Sequence, residues 1–491
     1  MTERALALSI LLEIFEKGEL SHLALRRGLA QNPGLERQQR AFLTRLTEGT
    51  VERALELDYV IGRYSRTPLK KMKPAIRAIL RMGVYQLLYM DGVPDSAVCN
   101  EAVKLTARRG YGGLKGFVNG TLRRIAAEKE TIVYPPEDTA QGLSVRYSMP
   151  EWIVEQWQDA YGEATVRILQ ALLRERPLIV HRSASQTSPE TIRKSLLAQG
   201  VQPSPHPYDG AAWVLAGEGS TRLEELEAFQ KGWIQVQDIS SQLASSLAVR
   251  ALAESRQHFA FSDSGEPRPE IRRPSLQNGG PCPDSGRPLC VLDVCAAPGG
   301  KSAYVADAAL ARKLPARIVS RDISEEKTAL ICQNRDRLGL ANWEIEVWDA
   351  LVFDPSWEQR ADVVMADLPC SGLGILSRKS DIKYRLTPDK LRELAALQRQ
   401  ILSVVWRYVK PGGYLIYSTC TIHSEENEEN VRWFQENYPF QTVDLNEWLP
   451  AAAKFSSDDL QAGCLQLLPG LHDSDGFFMS ALQREQQGGS R

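Results

Sequence analysis

Three stretches of the chain carry side chains suited to group transfer: DVCAAPGGKS at 293–302, ADLPCSGLG at 366–374 and YSTCTIHSEEN at 417–427. The second and third each hold a cysteine, Cys370 and Cys420. A lone cysteine is ordinarily a buried, inert side chain, whereas two at the ends of extended runs beside a ligand-binding turn are suited to covalent work. Carbon 5 of cytosine is a weak nucleophile until a thiolate adds at carbon 6 and makes it enamine-like. A second group must then remove the carbon 5 proton so that the first sulfur can be expelled. Two thiols with separate tasks therefore fit methylation at carbon 5 of a pyrimidine, and the residues alone leave open which sulfur attacks. Asp367, three positions before Cys370, is suited to hold the N3 and amino edge of the base and to stabilise charge there.

The turn DVCAAPGGKS supplies the cofactor half of this chemistry. Its two glycines let backbone approach a ligand, and a helix starting there offers free N–H groups to an anion. A phosphate-binding GxxxxGK[ST] loop is the nearest competitor, but Cys295 stands where its first glycine belongs. Asp322, about twenty residues further on, has the spacing of a ribose-hydroxyl acceptor, and Asp349 ends the next extended run. Those positions suit an adenosine, with a methionine carboxylate on the turn near Lys301. S-adenosylmethionine is thus the expected cofactor, held by Cys295, Ala296, Ala297, Pro298, Gly299, Gly300 and Lys301 together with Asp322, Asp349 and Asp367.

Alternating strands and helices must position these groups. Strands are expected at Cys290–Val294, Ile318–Asp322, Ile345–Trp348, Val363–Asp367 and Tyr414–Ser418. Helices should follow Lys301, run through Arg335, and occupy Pro388–Val409 ahead of a Pro411-Gly412-Gly413 turn. This pattern is a doubly wound sheet, with ligands at the carboxyl ends of its strands. Between 255 and 288 the chain turns rich in Pro, Gly, Ser and charge, which is expected to be a mobile insertion, so Cys282 and His258 within it are not expected to act in catalysis.

The first 130 residues read as an all-helical bundle, with Ile76, Ile79, Leu80, Val84, Leu87 and Leu88 recurring at helical spacing after Pro74. They carry 22 Lys and Arg against 14 Asp and Glu, although the whole chain has a net charge of −2. Two basic runs, Arg63, Arg66, Lys70, Lys71, Lys73, Arg77 and Arg81, then Arg108, Arg109, Lys115, Arg123 and Arg124, could contact phosphates. Residues 131–235 read as a small α/β module with a strand at Leu178–Arg182 and a helix capped by Ser188 and opened by Pro189. Trp152, Trp157 and Tyr161, one turn apart, are better suited to core packing than to base stacking.

Two resemblances appear on these residues. QQRAFLTRLTEGTVERALELDYVI, AIRAILRMGVYQLLYMDGVPDSAVCNEAV and GFVNGTLRRI resemble the helical RNA-binding fold of the antitermination factor NusB. DNA cytosine methyltransferases carry their nucleophile in a Pro-Cys pair, which would nominate Cys370, but the additional Cys420 points elsewhere. DVCAAPGGKS, ADLPCSGLGILSRKSDIKYR, LQRQILSVVWRYVKPGGYLIYSTCTIHSEENEENV and DGFFMSAL together resemble the RNA 5-methylcytosine methyltransferases. That resemblance implies that Cys420 attacks, Cys370 supports elimination and Asp367 orients the cytosine. Arg321 before the ribose aspartate, Leu368, and HRSASQTS in place of an Arg-x-Asn ending are departures from the usual pattern.

With 491 residues and 43% hydrophobic content the chain is long enough for roughly three domains. The expected division is a NusB-like bundle at 1–130, a small RRM-like α/β module at 131–235 and a Rossmann-like class I methyltransferase domain at 236–485. Eight cysteines without a CxxC pair suggest neither a zinc site nor a disulfide framework, so no metal is expected. The start lacks a secretory pattern and no apolar run reaches about 18 residues. The expectation is a monomeric cytoplasmic enzyme, away from membranes, and the two resemblances taken together imply small-subunit (16S) ribosomal RNA as its substrate. A transfer-RNA methyltransferase of the same chemistry and a non-catalytic RNA-binding, antitermination-like factor are the alternatives.

Overall fold

The structure, a computed structural model, describes residues 2–217, 222–260 and 288–486, with the side chains of 257–260 left aside. Most of the expected insertion, with Cys282 and the side chain of His258, lies outside the described residues; its first part, 255–260, instead continues the helix Ile239–Ala260. Contacts divide the chain into two compact units: Met1–Glu175 with Ile375–Leu386, and Arg176–Gly374 with Thr387–Arg491. Among the described residues no helix is long and apolar enough to cross a membrane.

The first unit is helical. Pro74 opens the helix Pro74–Tyr89, where its missing N–H costs nothing, and Ile76, Ile79, Leu80, Val84 and Leu87 are all buried against the surrounding helices. The last helix of the bundle is Lys115–Glu128. Not all of the basic run faces outward. Arg81 is buried, its guanidinium paired in two-point fashion with Asp58 at 2.7 and 2.6 Å and laid over the Phe15 ring. Trp157 is core, as its spacing suggested. The segment Ile375–Leu386 belongs to this unit: the Asp381 carboxylate accepts the Ser21 hydroxyl at 2.5 Å, and the Lys383 ammonium donates to the Glu52 carbonyl at 2.8 Å.

The second unit begins with a ferredoxin-like module. Strands β1 (Leu178–Arg182), β2 (Val201–His206), β3 (Asp209–Gly217) and β4 (Ile234–Val236) form an antiparallel sheet in the order β2-β3-β1-β4. The helix Pro189–Ala198 starts where Ser188 caps it, the hydroxyl accepting from the Thr191 N–H. β2 has no period-2 apolar signature and contains Pro203 and Pro205; it is an edge strand, where proline's missing donor is tolerated.

The larger sheet contains β5 (Leu289–Asp293), β6 (Ala316–Asp322), β7 (Trp343–Val347), β8 (Ala361–Asp367) and β9 (Val409–Thr419), parallel in the order β9-β8-β5-β6-β7. Beside β9 runs β13 (Phe477–Arg484), antiparallel, followed by β12 (Cys464–Leu467) and β11 (Leu460–Gln461), while β10 (Phe440–Thr442) pairs with β13. The sheet is therefore mixed. The expected turn at Pro411-Gly412-Gly413 lies within β9 as a bulge: Ala361 pairs with Val409 but Val363 with Tyr414. The order reverses at β5, which neighbours both β6 and β8, and this opens a crevice at their carboxyl ends.

The stretch HRSASQTS, at 181–188, anchors the small module to this sheet. Asp307, on the helix Gly300–Ala311, accepts from the Ser183 and Ser185 hydroxyls at 2.6 and 2.5 Å, from the Ala184 N–H at 2.8 Å, and contacts His181 at 3.2 Å. Burial alone would raise its pKa; His181 and the donors outweigh that and hold the carboxyl well below its usual range. Asp307→Ala should therefore destabilise the protein by roughly 3–5 kcal/mol, because it strands several buried donors at once. A denaturant titration reads this as a lowered midpoint, and an unchanged midpoint would show the anchor to be energetically idle.

Candidate active site

The glycine turn follows β5 and leads into the helix Gly300–Ala311. Gly299 adopts φ +95°, and a Cβ there would sit 2.9 Å from the Trp343 ring, so only glycine closes the turn. The turn is bound into the sheet: the Val294 N–H donates to the Met365 carbonyl and the Ala296 N–H to the Arg321 carbonyl. Asp322, at the end of β6, accepts the Ala297 N–H at 2.9 Å and the Ile323 N–H at 2.8 Å, with the Lys327 ammonium at 3.0 Å. Arg321, just before it, turns away into a buried pairing with Glu346 and Asp354. Asp349 follows β7, and its carboxylate accepts the Leu351 N–H at 2.9 Å. The adjoining Trp348 N–H donates to the Asp322 carbonyl, so the two carboxylates end neighbouring strands.

Asp367 ends β8 and faces the turn. Its carboxylate accepts the Lys301 ammonium at 2.6 Å and the Ser418 hydroxyl at 2.8 Å. Burial opposes the charge on Lys301, but Asp367 outweighs it and raises the lysine pKa, and the Phe477 ring of β13 lies 5.2 Å beneath the ammonium. Beyond Asp367 and Ser418, which are directly paired between β8 and β9, come the two cysteines, with their sulfur atoms 3.3 Å apart. The Cys370 pKa is driven well up, first by its contact with the Cys420 sulfur, then by burial and by the charge of Glu426. Cys295, in the turn, is also raised by burial and sits among carboxylates, which leaves it a poor nucleophile. Every site residue anticipated from the sequence is thus found at the carboxyl ends of β5 to β9 or on the turn between β5 and its helix.

Several residues of this site were not singled out from sequence. Glu426 is fully buried and accepts three hydrogen bonds: from the Ser371 N–H at 2.9 Å, the Ser371 hydroxyl at 2.5 Å and the Gln398 amide at 2.9 Å. Gln398, on the helix Pro388–Val405, also donates to the Pro369 carbonyl and accepts from Asn430 at 2.7 Å, while Tyr417 donates to the Glu426 carbonyl. The residues on both sides of Cys370 are therefore fixed by one carboxylate six positions after Cys420. Gly374 and Gly476 add a close backbone crossing: a Cβ on Gly374 would meet the Gly476 carbonyl oxygen at 1.9 Å, and the Gly374 N–H donates to the Cys420 carbonyl. Ile323 and Leu351 stand 58% and 40% exposed beside Asp322 and Asp349, apolar surfaces at the crevice. The signal for Glu426 lay in SEEN, where a carboxylate falls soon after the strand end, but nothing in the spacing told which of two adjacent glutamates turns inward.

The mixed sheet, the switch-point crevice and the turn define a methyltransferase of the Rossmann-like class, joined to a NusB-like bundle and a ferredoxin-like module. Residues 285–483 match the family described as 16S rRNA methyltransferase RsmB/F, residues 1–127 match the NusB family, and residues 149–222 match the RsmF/B-like ferredoxin-like domain. The chain is 32% identical to the probable ribosomal RNA small subunit methyltransferase B of Bacillus subtilis, covering 98% of each protein. Its identity to the corresponding probable enzyme of Synechocystis is 29%, over 99% of this chain and 100% of that one. The solved structure of PH0851 superposes with a TM-score of 0.73 at 24% identity over 98% of both chains. NSun6 from Pyrococcus horikoshii, solved with SFG, gives 0.51 at 18% identity over 69% of this chain and 99% of that one. The chain belongs to the RsmB/F methyltransferase family.

Two outcomes test the electrostatics of the site. Glu426→Ala removes the shared acceptor of Ser371 and Gln398, and should lower unfolding free energy by about 1–3 kcal/mol; an unaltered denaturation midpoint would contradict the network. Asp293, buried behind the turn and accepting the Ser302 hydroxyl at 2.5 Å, has its pKa raised to about 7, chiefly by burial. Its folded pKa exceeds the unfolded value, so the stability linked to its proton is complete below about pH 4 and is lost as pH rises through about 7. Thermal unfolding of Asp293→Asn against the parent should show the variant gaining relative stability from pH 5 to pH 8, and a pH-independent difference would refute the assignment.

Proposed function

We propose that this protein methylates carbon 5 of a cytidine in small-subunit (16S) ribosomal RNA, with S-adenosylmethionine as cofactor and Cys420 as the covalent nucleophile. The observation that carries the reading is the 3.3 Å approach of the Cys370 and Cys420 sulfurs, beside the Lys301–Asp367 pair and the glycine turn. The names of the relatives from Bacillus subtilis and Synechocystis support ribosomal RNA as substrate.

The crevice fits the cofactor chemically. The glycine turn and the helix start suit the methionine carboxylate, Asp322 and Asp349 suit the ribose hydroxyls and the adenine side, and the exposed Ile323 and Leu351 suit the faces of a purine. Bound there, S-adenosylmethionine supplies the electrophilic methyl group. The rest is the work of the chain's own residues. The Cys420 sulfur bonds to carbon 6, and the electron pair of the 5,6 double bond becomes available at carbon 5. Asp367, fixed by Lys301 and Ser418, holds the N3 and amino edge of the base. Cys370 assists removal of the carbon 5 proton, after which the double bond re-forms and the carbon–sulfur bond breaks. Contact with the Cys420 sulfur is the largest influence raising the Cys370 pKa. Turning Cys420 into a thioether removes that influence and makes Cys370 easier to ionise at the step that needs a base. Because a paired cytosine hides its reactive face, the target base is unpaired or extruded.

Cys420→Ser should abolish both methyl transfer and adduct formation on small-subunit ribosomal RNA. Cys370→Ala should accumulate a covalent RNA–protein species visible on a denaturing gel, because the adduct forms and is not released. An adduct that persists in the absence of Cys420 would reverse the roles.

A further inference from the structure

The first unit contains a polar cleft of about 570 Å3, within the range of small-ligand sites. Arg53, Glu56, Tyr89, Tyr134, Arg146 and Arg174 line it. Glu56 organises it from below: the buried carboxylate accepts the Tyr89 hydroxyl at 2.6 Å and the Tyr134 hydroxyl at 3.0 Å, and pairs with the Arg53 guanidinium at 3.2 Å. Burial, and after it the charge of Glu56, raises the pKa of both phenols and keeps them protonated. Each ring is then covered by a flat cation, the Arg53 guanidinium 4.8 Å from the Tyr89 centroid and Arg146 5.5 Å from that of Tyr134. Arg146 and Arg174 are exposed at the rim.

We infer that this cleft binds one unstacked nucleotide of the RNA substrate, outside the chemical site. A base has two π-faces and no net charge, so it can slide between the Arg146 guanidinium and the Tyr134 ring or stack on the guanidinium plane itself. Its flanking phosphates meet the edges of Arg146 and Arg174, which are exposed at the rim, in the fork geometry that suits guanidinium and phosphate. The pinned hydroxyls set the ring planes before the ligand arrives, which lowers the ordering entropy of binding. An acidic peptide would meet the same arginines but carries no flat ring to stack on a guanidinium plane. The inference rests on RNA being the substrate.

The test uses the full-length protein with a small-subunit ribosomal RNA fragment. Arg146→Glu combined with Arg174→Glu should weaken RNA binding at least about ten-fold and lower the salt slope by about two, while S-adenosylhomocysteine affinity stays at the parent value. The Arg146→Lys, Arg174→Lys pair should keep the salt slope and lose only part of the affinity, since it retains charge but not the stacking plane. Ultraviolet cross-linking should yield a nucleotide adduct on the peptide bearing Tyr134, and competition by cytidine monophosphate at millimolar concentration should be weaker than by an RNA oligomer. Parent-like binding and salt slope in the glutamate pair would overturn the cleft and leave the RNA reading standing. If the parent protein itself fails to bind or methylate the RNA, both fall together.

Discussion

The approach of two sulfur atoms to 3.3 Å depends on a carboxylate that belongs to neither cysteine. Cys370 sits in an irregular loop after β8 and Cys420 directly after β9, and loops of that kind are the mobile parts of a sheet protein. Glu426 removes the mobility by accepting the Ser371 amide and hydroxyl and the Gln398 side chain, and Gln398 in turn holds the Pro369 carbonyl. Burying an ionisable group in this way is costly unless its lone pairs are filled, and here three donors fill them. The arrangement resembles a preorganised catalytic constellation, in which the supporting hydrogen bonds fix the geometry before substrate arrives.

The same reasoning extends outward through the sheet. β5 is flanked by β6 and β8, so the glycine turn and the ends of both neighbours open on one crevice. Asp322 on one side and Asp367 on the other reach the turn through a backbone N–H and through Lys301. One short loop therefore couples the strand-end carboxylates Asp322 and Asp367 to the sulfur pair. β13, antiparallel beside β9, contributes Phe477 beneath the Lys301 ammonium and brings Gly476 against Gly374. The mixed character of the sheet is thus part of the site, because without that added strand the β9 end would lack its outer wall.

Much of this was legible from residue order. The parallel strands were readable because buried strands form short apolar runs that end in carboxylates, and the anticipated carboxylates and cysteines all fall at the crevice. What was hidden has physical reasons. β2 carries two prolines and no alternation, since an edge strand needs neither a full set of donors nor an apolar face. The bulge at Lys410–Gly413 read as a turn because proline and glycine mark both. Arg81 read as part of a basic surface, and only the Asp58 carboxylate, 23 residues earlier in the chain, draws it inside. Glu426 was only half legible: SEEN places a carboxylate soon after the strand end, but the side-chain partners that draw it inward, Ser371 and Gln398, come from two distant segments that no local pattern records.

The most direct test of a covalent Cys420 mechanism is to incubate the protein and S-adenosylmethionine with ribosomal RNA bearing 5-fluorocytidine, in which fluorine takes the place of the proton that must leave. Peptide mapping by mass spectrometry then locates the trapped base. The account predicts a methylated, fluorinated cytosine attached to the sulfur of Cys420. Attachment at Cys370, or methylated RNA released with no attachment at all, would contradict it.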